Sequence, residues 1–411
     1  MDLGWGRRTS DAGHARFASI LSFDQCIAPI PNCGSSMKDI QVSSSGGAAT
    51  QATGASLFLP YSSRTVELRN RIVTSPMCQY SSEDGFASDW HLVHLGSRAV
   101  GGAGLVFTEA TAVSPQGRIS PQDLGIWKDE HIPMLARVTR FVHEHGAAPG
   151  IQLAHAGRKA STARSWDGGG PVGPHAGGWV PVGPGTEAFK EGQAAPHALT
   201  EPEIEAVIDS FRLAAGRALK AGFQVVEIHA AHGYLLHQFL SPLVNHRPDS
   251  WGGSLENRAR LTLEVARAIR TVWPAELPLW IRISGTDWAA GGWDVDSSVQ
   301  LARWLGPLGV DLVDVSSGGA VPQQQVVVGP GYQVPFSARI RRESGLPTGA
   351  VGLITEPAQA DAIIRAGEAD VILLARAELR DPYWPLHAAQ ALGLDLPWPA
   401  PNDRARSRYR T

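Results

Sequence analysis

The sequence is poor in cysteine, in unbalanced charge and in long apolar runs, and each shortage excludes a class of protein. Its 411 residues include three cysteines, too few for a disulfide scaffold of this size or for the four thiolates of an iron–sulfur cluster. A formal net charge of −3 gives no attraction to nucleic acid or to an anionic membrane. No apolar run approaches the roughly 18 residues that span a bilayer. We therefore expect a soluble protein of a reducing, cytoplasmic compartment, with neither nucleic acid nor membrane as a partner.

Residues 1–55 differ in composition from the rest of the chain. They are rich in Ser, Gly, Ala and Thr, most clearly over Ser43-Ser-Ser-Gly-Gly-Ala-Ala-Thr50. Such a segment has too little apolar surface to bury a core, and it lacks the apolar stretch of a secretory signal. The composition predicts a disordered N-terminal extension.

From Leu57 onward, short apolar runs alternate with stretches whose apolar residues recur every three to four positions. One such stretch, 204–219, follows Thr200-Glu-Pro-Glu203, which predicts a capped helix start, and 255–272 and 297–308 are similar. The strand-like runs are 72–76, 105–108, 149–153, 224–228, 279–283, 312–315, 350–354 and 371–374. This alternation predicts a single (β/α)8 barrel with loop insertions over residues 56–411, the longest insertion being 157–195. A doubly wound open sheet is the alternative.

The fourth of these strands ends in two histidines and a tyrosine: His229, His232 and Tyr234. A turn at the end of the strand would bring the three rings together, at the end of a barrel where active sites are built. Imidazoles donate hydrogen bonds near neutral pH, and a phenol keeps a proton that it can transfer. Together they can hold a carbonyl oxygen and protonate the carbon beside it, provided that a hydride donor lies nearby.

Other strand ends favour a mononucleotide as that donor. Gln152 and Arg282 suit the carbonyl-bearing edge of a flat heterocycle, and a guanidinium stabilises the negative charge that develops on reduction. Gly352 and Ala375-Arg376 stand at the ends of the last two strands, where this fold commonly binds phosphate. No Gly-x-Gly-x-x-Gly follows a strand, so a Rossmann dinucleotide site is not predicted. Flavin mononucleotide (FMN) combines such a ring with one phosphate.

Five segments, in this order along the chain, resemble the old yellow enzymes, the flavin-dependent ene-reductases. They are Ser75-Pro-Met-Cys-Gln-Tyr80, Gln152-Leu-Ala-His-Ala-Gly-Arg158, His229-Ala-Ala-His-Gly-Tyr234, Ser241-Pro-Leu-Val-Asn-His-Arg247 and Trp251-Gly-Gly-Ser-Leu-Glu-Asn-Arg258. The match runs from about Leu57 to the C-terminal region. The cysteine at position 78, where another branch of the family has threonine, makes the chain resemble the thermophilic-like bacterial branch.

The resemblance implies an enzyme that works in two half-reactions at one site. NADPH would reduce a non-covalently bound FMN, and the flavin would then pass hydride to the β-carbon of an activated alkene such as an enone, enal or maleimide. His229 and His232 would polarise the oxygen of the alkene, Tyr234 would protonate its α-carbon, and Tyr80 would flank it. The residues expected at FMN are Ser75, Pro76, Met77, Cys78, Ala110, Gln152, Arg282, Gly352, Ala375 and Arg376.

Two features near the C-terminus concern the details of this resemblance. The family commonly has glycine before the phosphate-binding arginine, whereas this chain has Ala375. In the thermophilic-like branch an arginine near the C-terminus reaches into the site of a neighbouring subunit, and Arg406 fits that spacing. The resemblance therefore implies a homodimer or homotetramer with a shared arginine.

Three other functions are alternatives to this one. A metal-dependent barrel hydrolase would use His229 and His232 as ligands, but the first strand lacks a His-x-His pair, and Gln152 and Arg282 stand where acidic ligands are needed. A Schiff-base aldolase needs a lysine at a strand end, and no lysine follows Lys220. The third is a barrel that retains a flavin without catalysis.

Overall fold

Residues 55–406 are described by a computed structural model of the chain. The strands of this part are β1 Tyr61–Ser63, β2 Val66–Leu68, β3 Ile72–Thr74, β4 Leu105–Ala112, β5 Ala148–Ala154, β6 Val182–Gly183, β7 His197–Ala198, β8 Val225–Ala230, β9 Leu279–Ser284, β10 Leu312–Ser316, β11 Thr348–Ala350 and β12 Val371–Leu374. Its α-helices are α1 Asp89–Val100, α2 Ile132–Glu144, α3 Glu201–Lys220, α4 Leu235–Leu240, α5 Leu255–Arg270, α6 Val295–Leu305, α7 Val334–Ser344, α8 Pro357–Arg365, α9 Arg376–Arg380 and α10 Trp384–Ala391.

Parallel strands close into a barrel in the order β3-β4-β5-β8-β9-β10-β11-β12, with β12 paired back to β3. Helices lie between successive barrel strands. The predicted (β/α)8 barrel is therefore confirmed, and the alternative of an open sheet is wrong because the sheet has no free edge. The carboxyl ends of all these strands meet at one end of the barrel, and this brings residues far apart in sequence into one site.

The β1–β2 hairpin fills the opposite end of the barrel with apolar side chains. Val66 and Leu68 lie in one buried cluster with Phe107 and Trp280 from the barrel interior. The indole Nε1 of Trp280 donates a hydrogen bond to Ser63 Oγ (3.2 Å), which satisfies its polar atom. Burial of each large apolar side chain contributes about 1.5–3 kcal/mol. This end of the barrel is thus a packed core, and the polar strand ends lie at the other.

The helix predicted after Thr200 begins at the capping signal. The backbone N–H and the hydroxyl of Thr200 both donate to Glu203 Oε2 (2.8 Å each), and Pro202 occupies the first turn, where its missing N–H costs nothing. Ile204 and Phe211 are buried on the inner face of α3. This cap could be predicted from the sequence because it depends only on residues that are close together in the chain.

The seventh barrel strand differs from its prediction. The sequence pattern placed it at 350–354, but β11 ends at Ala350. Gly352 and Leu353 have φ values of 123° and 51°, which remove both residues from the extended conformation. The apolar residues after Ala350 therefore form a loop at the mouth of the barrel instead of a strand.

The predicted insertion after the third barrel strand is a loop carrying short 3₁₀ helices and the small β6–β7 pair. The predicted disordered extension, 1–55, falls almost wholly on residues outside the described range and stays a prediction. Within residues 55–406, no helix has the length and hydropathy to cross a bilayer.

Candidate active site

The turn that follows β8 gathers the two histidines and the tyrosine. The His229 ring centroid lies 5.1 Å from that of His232 and 5.0 Å from that of Tyr234, with both neighbouring rings almost perpendicular to it. His232 and Gly233 adopt left-handed conformations, with φ of 59° and 72°. A Cβ on Gly233 would lie 1.9 Å from the carbonyl oxygen of Gly319, so the turn packs directly against the loop after β10. The structure therefore brings the three rings together, as the spacing predicted.

His229 is neutral and presents a hydrogen-bond donor. Burial lowers the pKa of its imidazole well below the ordinary value, and His232 and the positive charge of Arg282 lower it further. The Ala231 N–H donates to His229 Nδ1 (3.3 Å), so the proton of the neutral ring is on Nε2. The ring thus offers an N–H donor whose tautomer is set by the backbone.

His232 is held on two sides by serines. Its backbone N–H donates to Ser284 Oγ (3.0 Å), and its Nε2 lies 2.7 Å from Ser316 Oγ. Burial, followed by the charges of Arg282 and Lys159, lowers its pKa well below the usual value. Both imidazoles are therefore uncharged near neutral pH.

Tyr234 keeps its proton over the physiological range. Burial raises the pKa of the phenol well above its ordinary value, and Cys78 and Asp123 raise it further. The Lys159 ammonium lies 5.2 Å from the centre of the Tyr234 ring and donates to the carbonyl oxygens of His232 (2.7 Å) and Gly319 (3.2 Å). Lys159 thus fastens the β8 turn to the loop after β10.

The segment after β3 is positioned by Glu109 from β4. Glu109 Oε2 accepts hydrogen bonds from the N–H groups of Gln79 (2.8 Å) and Tyr80 (3.3 Å). Tyr80 has a φ of 49°, a conformation that a non-glycine residue adopts at a cost. Burial raises the pKa of the Cys78 thiol well above its ordinary value, so the thiol is protonated. Glu109 therefore holds the backbone of Gln79 and Tyr80, directly after Cys78, in place.

The floor of the site is a buried polar layer around Arg282. The Arg282 guanidinium donates through Nη2 to Ser75 Oγ (2.8 Å) and through Nε to Asp314 Oδ2. Gln152 Nε2 donates to Glu227 Oε1 (2.8 Å) in the same layer. Each of these residues except Ser75 lies on a barrel strand, so the layer is rigid.

A cavity of about 310 Å³ runs from this floor to the loops after the last two strands. Its wall includes Ser75, Pro76, His232, Arg282, Gly352, Ala375 and Arg376. A Cβ on Gly352 would lie 2.7 Å from Gln333 Nε2, so a side chain there would enter the cavity wall. The cavity therefore joins the two ends that the sequence assigned to a ring and to a phosphate.

Other candidates, among them Met77, Ala110 and Arg406, are not part of the cavity wall. Ala110 is hydrogen-bonded through its backbone to the Cys78 thiol, and the Met77 carbonyl accepts from the Gln79 side chain (2.9 Å). Arg406 lies at the end of the described range, where its Nε donates to Asp395 Oδ1 (2.6 Å) within the same chain. The structure therefore does not bring Arg406 to the site of its own subunit.

Several residues that sequence reasoning did not assign contribute to the site, among them Lys159, Glu109, Glu227, Asp314, Ser316 and Gln333. A sequence signal existed for Glu109, which is an acid inside the otherwise uncharged strand β4. Ser316 and Gln333 carried no comparable signal, because their roles depend on contacts between β10 and the start of α7. Gln333 Oε1 accepts from Ser317 Oγ, and Gln333 Nε2 donates to the Val351 carbonyl (2.8 Å).

Comparison with known proteins agrees with this geometry. The sequence profile of the NADH:flavin oxidoreductase / NADH oxidase family matches residues 56–395. An NADPH dehydrogenase of Halalkalibacterium halodurans is 48% identical over 351 residues, which cover 85% of this chain and 98% of the relative. An NADPH dehydrogenase of Geobacillus thermodenitrificans is 48% identical over 350 residues, with the same coverage of both chains.

Among solved structures, morphinone reductase in complex with tetrahydroNAD superposes with a TM-score of 0.69 at 28% identity, covering 84% of this chain and 93% of that one. These matches confirm the resemblance to the old yellow enzymes. The chain therefore belongs to the NADH:flavin oxidoreductase / NADH oxidase family and is an oxidoreductase whose cofactor is FMN.

Proposed function

We propose that the protein is an ene-reductase that takes electrons from NADPH and reduces activated alkenes such as enones, enals and maleimides. The observation that carries the proposal is the group of two neutral imidazoles and one protonated phenol at the end of β8, beside the cavity that ends on Arg282. Similarity to NADPH dehydrogenases and to morphinone reductase supports it.

His229 and His232 bind the carbonyl oxygen of the alkene. A neutral N–H donor near a carbonyl oxygen strengthens its hydrogen bond as negative charge develops there, so it stabilises the transition state more than the ground state. The fixed Nε2–H of His229 is such a donor, because Nδ1 is already occupied by the Ala231 N–H. FMN supplies the hydride that reaches the β-carbon when it is bound and reduced.

Tyr234 donates the proton that completes reduction at the α-carbon. Burial raises the pKa of its phenol, so Tyr234 is protonated over the physiological pH range. The same burial makes an unassisted phenolate unfavourable, and proton donation therefore follows the build-up of charge on the substrate. Tyr80, next to the Cys78 thiol, flanks the bound alkene.

We assign a distinct task to each group expected at FMN. Gln152 and Arg282 hydrogen-bond to the pyrimidine edge of the ring, where the guanidinium opposes negative charge. Gly352, Ala375 and Arg376 hold the phosphate without a covalent link. The segment Ser75–Cys78, which includes Pro76 and Met77, lines the ring together with Ala110. One continuous cavity supports this assignment, because its wall includes Ser75, Pro76 and Arg282 at one end and Gly352, Ala375 and Arg376 at the other.

A shared active site between subunits is part of the same proposal. Arg406 reaches the substrate site of a neighbouring copy in a cytoplasmic homodimer or homotetramer. Its contact with Asp395, rather than with a residue of the cavity wall of its own subunit, supports this role. The metal-dependent hydrolase is not proposed, because the family is one of flavin oxidoreductases.

The test is a double substitution, His229→Ala with His232→Ala, assayed for cyclohexenone reduction and for FMN content. Loss of both donors is expected to lower enone turnover by at least about 100-fold while FMN stays bound. The control is His197→Ala, which removes an exposed histidine that pairs with Glu203. Enone turnover that survives the double substitution would end the proposed role of the imidazoles.

A further substitution separates proton donation from flavin reduction. Tyr234→Phe keeps the ring but removes the proton, so enone reduction is expected to slow while reduction of the flavin by NADPH keeps its rate. A variant in which NADPH no longer reduces the flavin would assign Tyr234 to another step.

A further inference from the structure

Two buried carboxyl groups flank Arg282 in the floor of the site. Glu227 on β8 and Asp314 on β10 lie on the strands at either side of β9, and their side chains are completely buried. Arg282 itself is 4% exposed. Charged side chains are almost never buried to this extent unless each charge is matched. The polar atoms and the charges of this layer must therefore be matched within the layer itself.

One oxygen of each carboxyl group receives no hydrogen bond from the surrounding side chains. Asp314 Oδ2 accepts from Arg282 Nε, and Glu227 Oε1 accepts from Gln152 Nε2 and lies 3.9 Å from Arg282 Nε. Asp314 Oδ1 and Glu227 Oε2 are buried and have no donor. The two carboxyl groups are nevertheless close enough that a side-chain hydrogen bond between them raises the pKa of Glu227 and lowers that of Asp314. Two carboxylates cannot donate to one another, whereas a single proton between them satisfies both remaining oxygens.

The charges lead to the same result. One guanidinium against two carboxylates would leave an unbalanced negative charge in a dry layer, and removing such a charge from water costs several kcal/mol. The other titratable groups that face Arg282, His229 and His232, are neutral and supply no compensation. One proton on the pair makes the layer neutral.

We propose that Glu227 and Asp314 share one proton in the floor of the site, and that this proton keeps the floor neutral and sets the pH dependence of flavin reduction. The second half of this inference rests on the proposed contact between Arg282 and FMN. The pair changes no bond of the redox reaction: two electrons and one proton still move as hydride from NADPH. The pair acts through Arg282. With one shared proton, the two carboxyl groups carry a single negative charge, which balances the positive charge of Arg282.

Loss of the shared proton at high pH makes the floor negative. Burial raises the pKa of Glu227 to about 8, with the charge of Asp314 as the second cause, and burial likewise raises the pKa of Asp314. Below that pH the pair holds its proton, and above it the layer gains one negative charge. If Arg282 contacts FMN, as proposed, an added negative charge beside Arg282 would oppose reduction of the flavin, and the flavin would become harder to reduce as the pair ionises.

Amide substitutions imitate the protonated state. In Glu227→Gln the amide oxygen accepts from Gln152, and the amide NH₂ donates to Asp314 Oδ1 as the shared proton did. In Asp314→Asn the geometry is reversed, with the NH₂ donating to Glu227 Oε2. Either variant leaves one carboxylate against Arg282 and a neutral layer, whereas the double variant leaves an uncompensated positive charge.

The experiment combines infrared spectroscopy of the apoprotein with the flavin midpoint potential of the holoprotein as a function of pH. Asp123 and Glu378 are also buried carboxyl groups with raised pKa values, so the band is taken from the difference between the wild-type apoprotein and each single variant. This difference is expected to show the C=O stretch of a protonated carboxyl group that disappears as the pH rises through about 8. Each single variant loses this band and the matching break in the potential, but keeps the potential at neutral pH. The double variant raises the reduced-to-oxidised ratio at least tenfold, about 30 mV for a two-electron couple.

The control is Asp361→Asn, which alters a buried carboxyl group of α8 that accepts from the Leu57 N–H (3.0 Å), away from the site. It is expected to change neither the band nor the potential. A wild-type apoprotein without the band, or single variants whose neutral potential moves as far as that of the double variant, would overturn the inference. If the double variant does not fold, the band in the single variants still decides. The infrared result needs no alkene and no FMN, so failure of the proposed function leaves it intact.

Discussion

The contact between the β8 turn and the loop after β10 allows a quantitative prediction for Gly233→Ala. A Cβ on this glycine would lie 1.9 Å from Gly319 O and 2.6 Å from Gly319 C, and φ is 72°. The left-handed conformation alone costs an alanine about 1–2 kcal/mol. Removing the clash requires the turn to move by about 1 Å, and a misplacement of that size in an active site costs about 100-fold in rate. His232 and Tyr234 flank the glycine, so both move with it.

The matched control is Gly253→Ala. Gly253 has a similar φ of 81°, but a Cβ there would meet no atom within 4 Å. We expect this variant to lose about 1–2 kcal/mol of unfolding free energy and to keep its turnover. Urea unfolding and steady-state enone reduction, measured on both variants, separate backbone strain from displacement. If Gly233→Ala loses no more turnover than Gly253→Ala, the turn tolerates movement and the reasoning from its geometry fails.

Three further substitutions test other contacts. Glu109→Ala removes the acceptor of the Gln79 and Tyr80 N–H groups, so we expect a loss of about 2–4 kcal/mol in urea unfolding and weaker FMN binding; an unchanged FMN Kd would contradict the positioning role. Thr200→Ala removes the cap of α3 and is expected to cost about 1 kcal/mol in unfolding free energy with unaltered turnover. Arg406→Ala is expected to raise the KM for the alkene while kcat changes little, and an unaltered KM would remove Arg406 from the partner's site.

The barrel was predictable because its signals are local. Each barrel strand is a short apolar run, and the α3 cap depends on residues three positions apart. The error at β11 has a local cause as well. The apolar character of Val351, Leu353 and Ile354 continues the strand pattern, but the left-handed conformations of Gly352 and Leu353 end the strand. The side chains alone do not reveal that conformation for a leucine.

The residues of the site likewise divide into those with a local sequence signal and those without one. The rings after β8 and the arginine of β9 were readable, since each follows or ends a strand of recognisable type. Lys159 and Asp314 were not, because their roles depend on contacts across the barrel: Lys159 with the carbonyl of Gly319, and Asp314 with the neighbouring strand. A sequence shows which side chains stand at strand ends, but the pairing of those side chains depends on how the closed barrel registers its strands.

Backbone strain in the described part of the chain collects at the mouth of the barrel. Non-glycine residues with positive φ follow barrel strands at Tyr80, Asp84, Ser161, His232, Trp288 and Leu353, whereas Arg64 lies in the β1–β2 hairpin. Each such residue costs about 1–2 kcal/mol, and strained residues persist only where the surrounding structure determines them. The buried apolar cluster at the end of the barrel covered by the hairpin fixes the strands from which these loops begin, and so holds the loops in these conformations. A site that must hold His232 in an unfavourable conformation is therefore built on the strands of a rigid core, and its precision depends on the opposite end of the barrel.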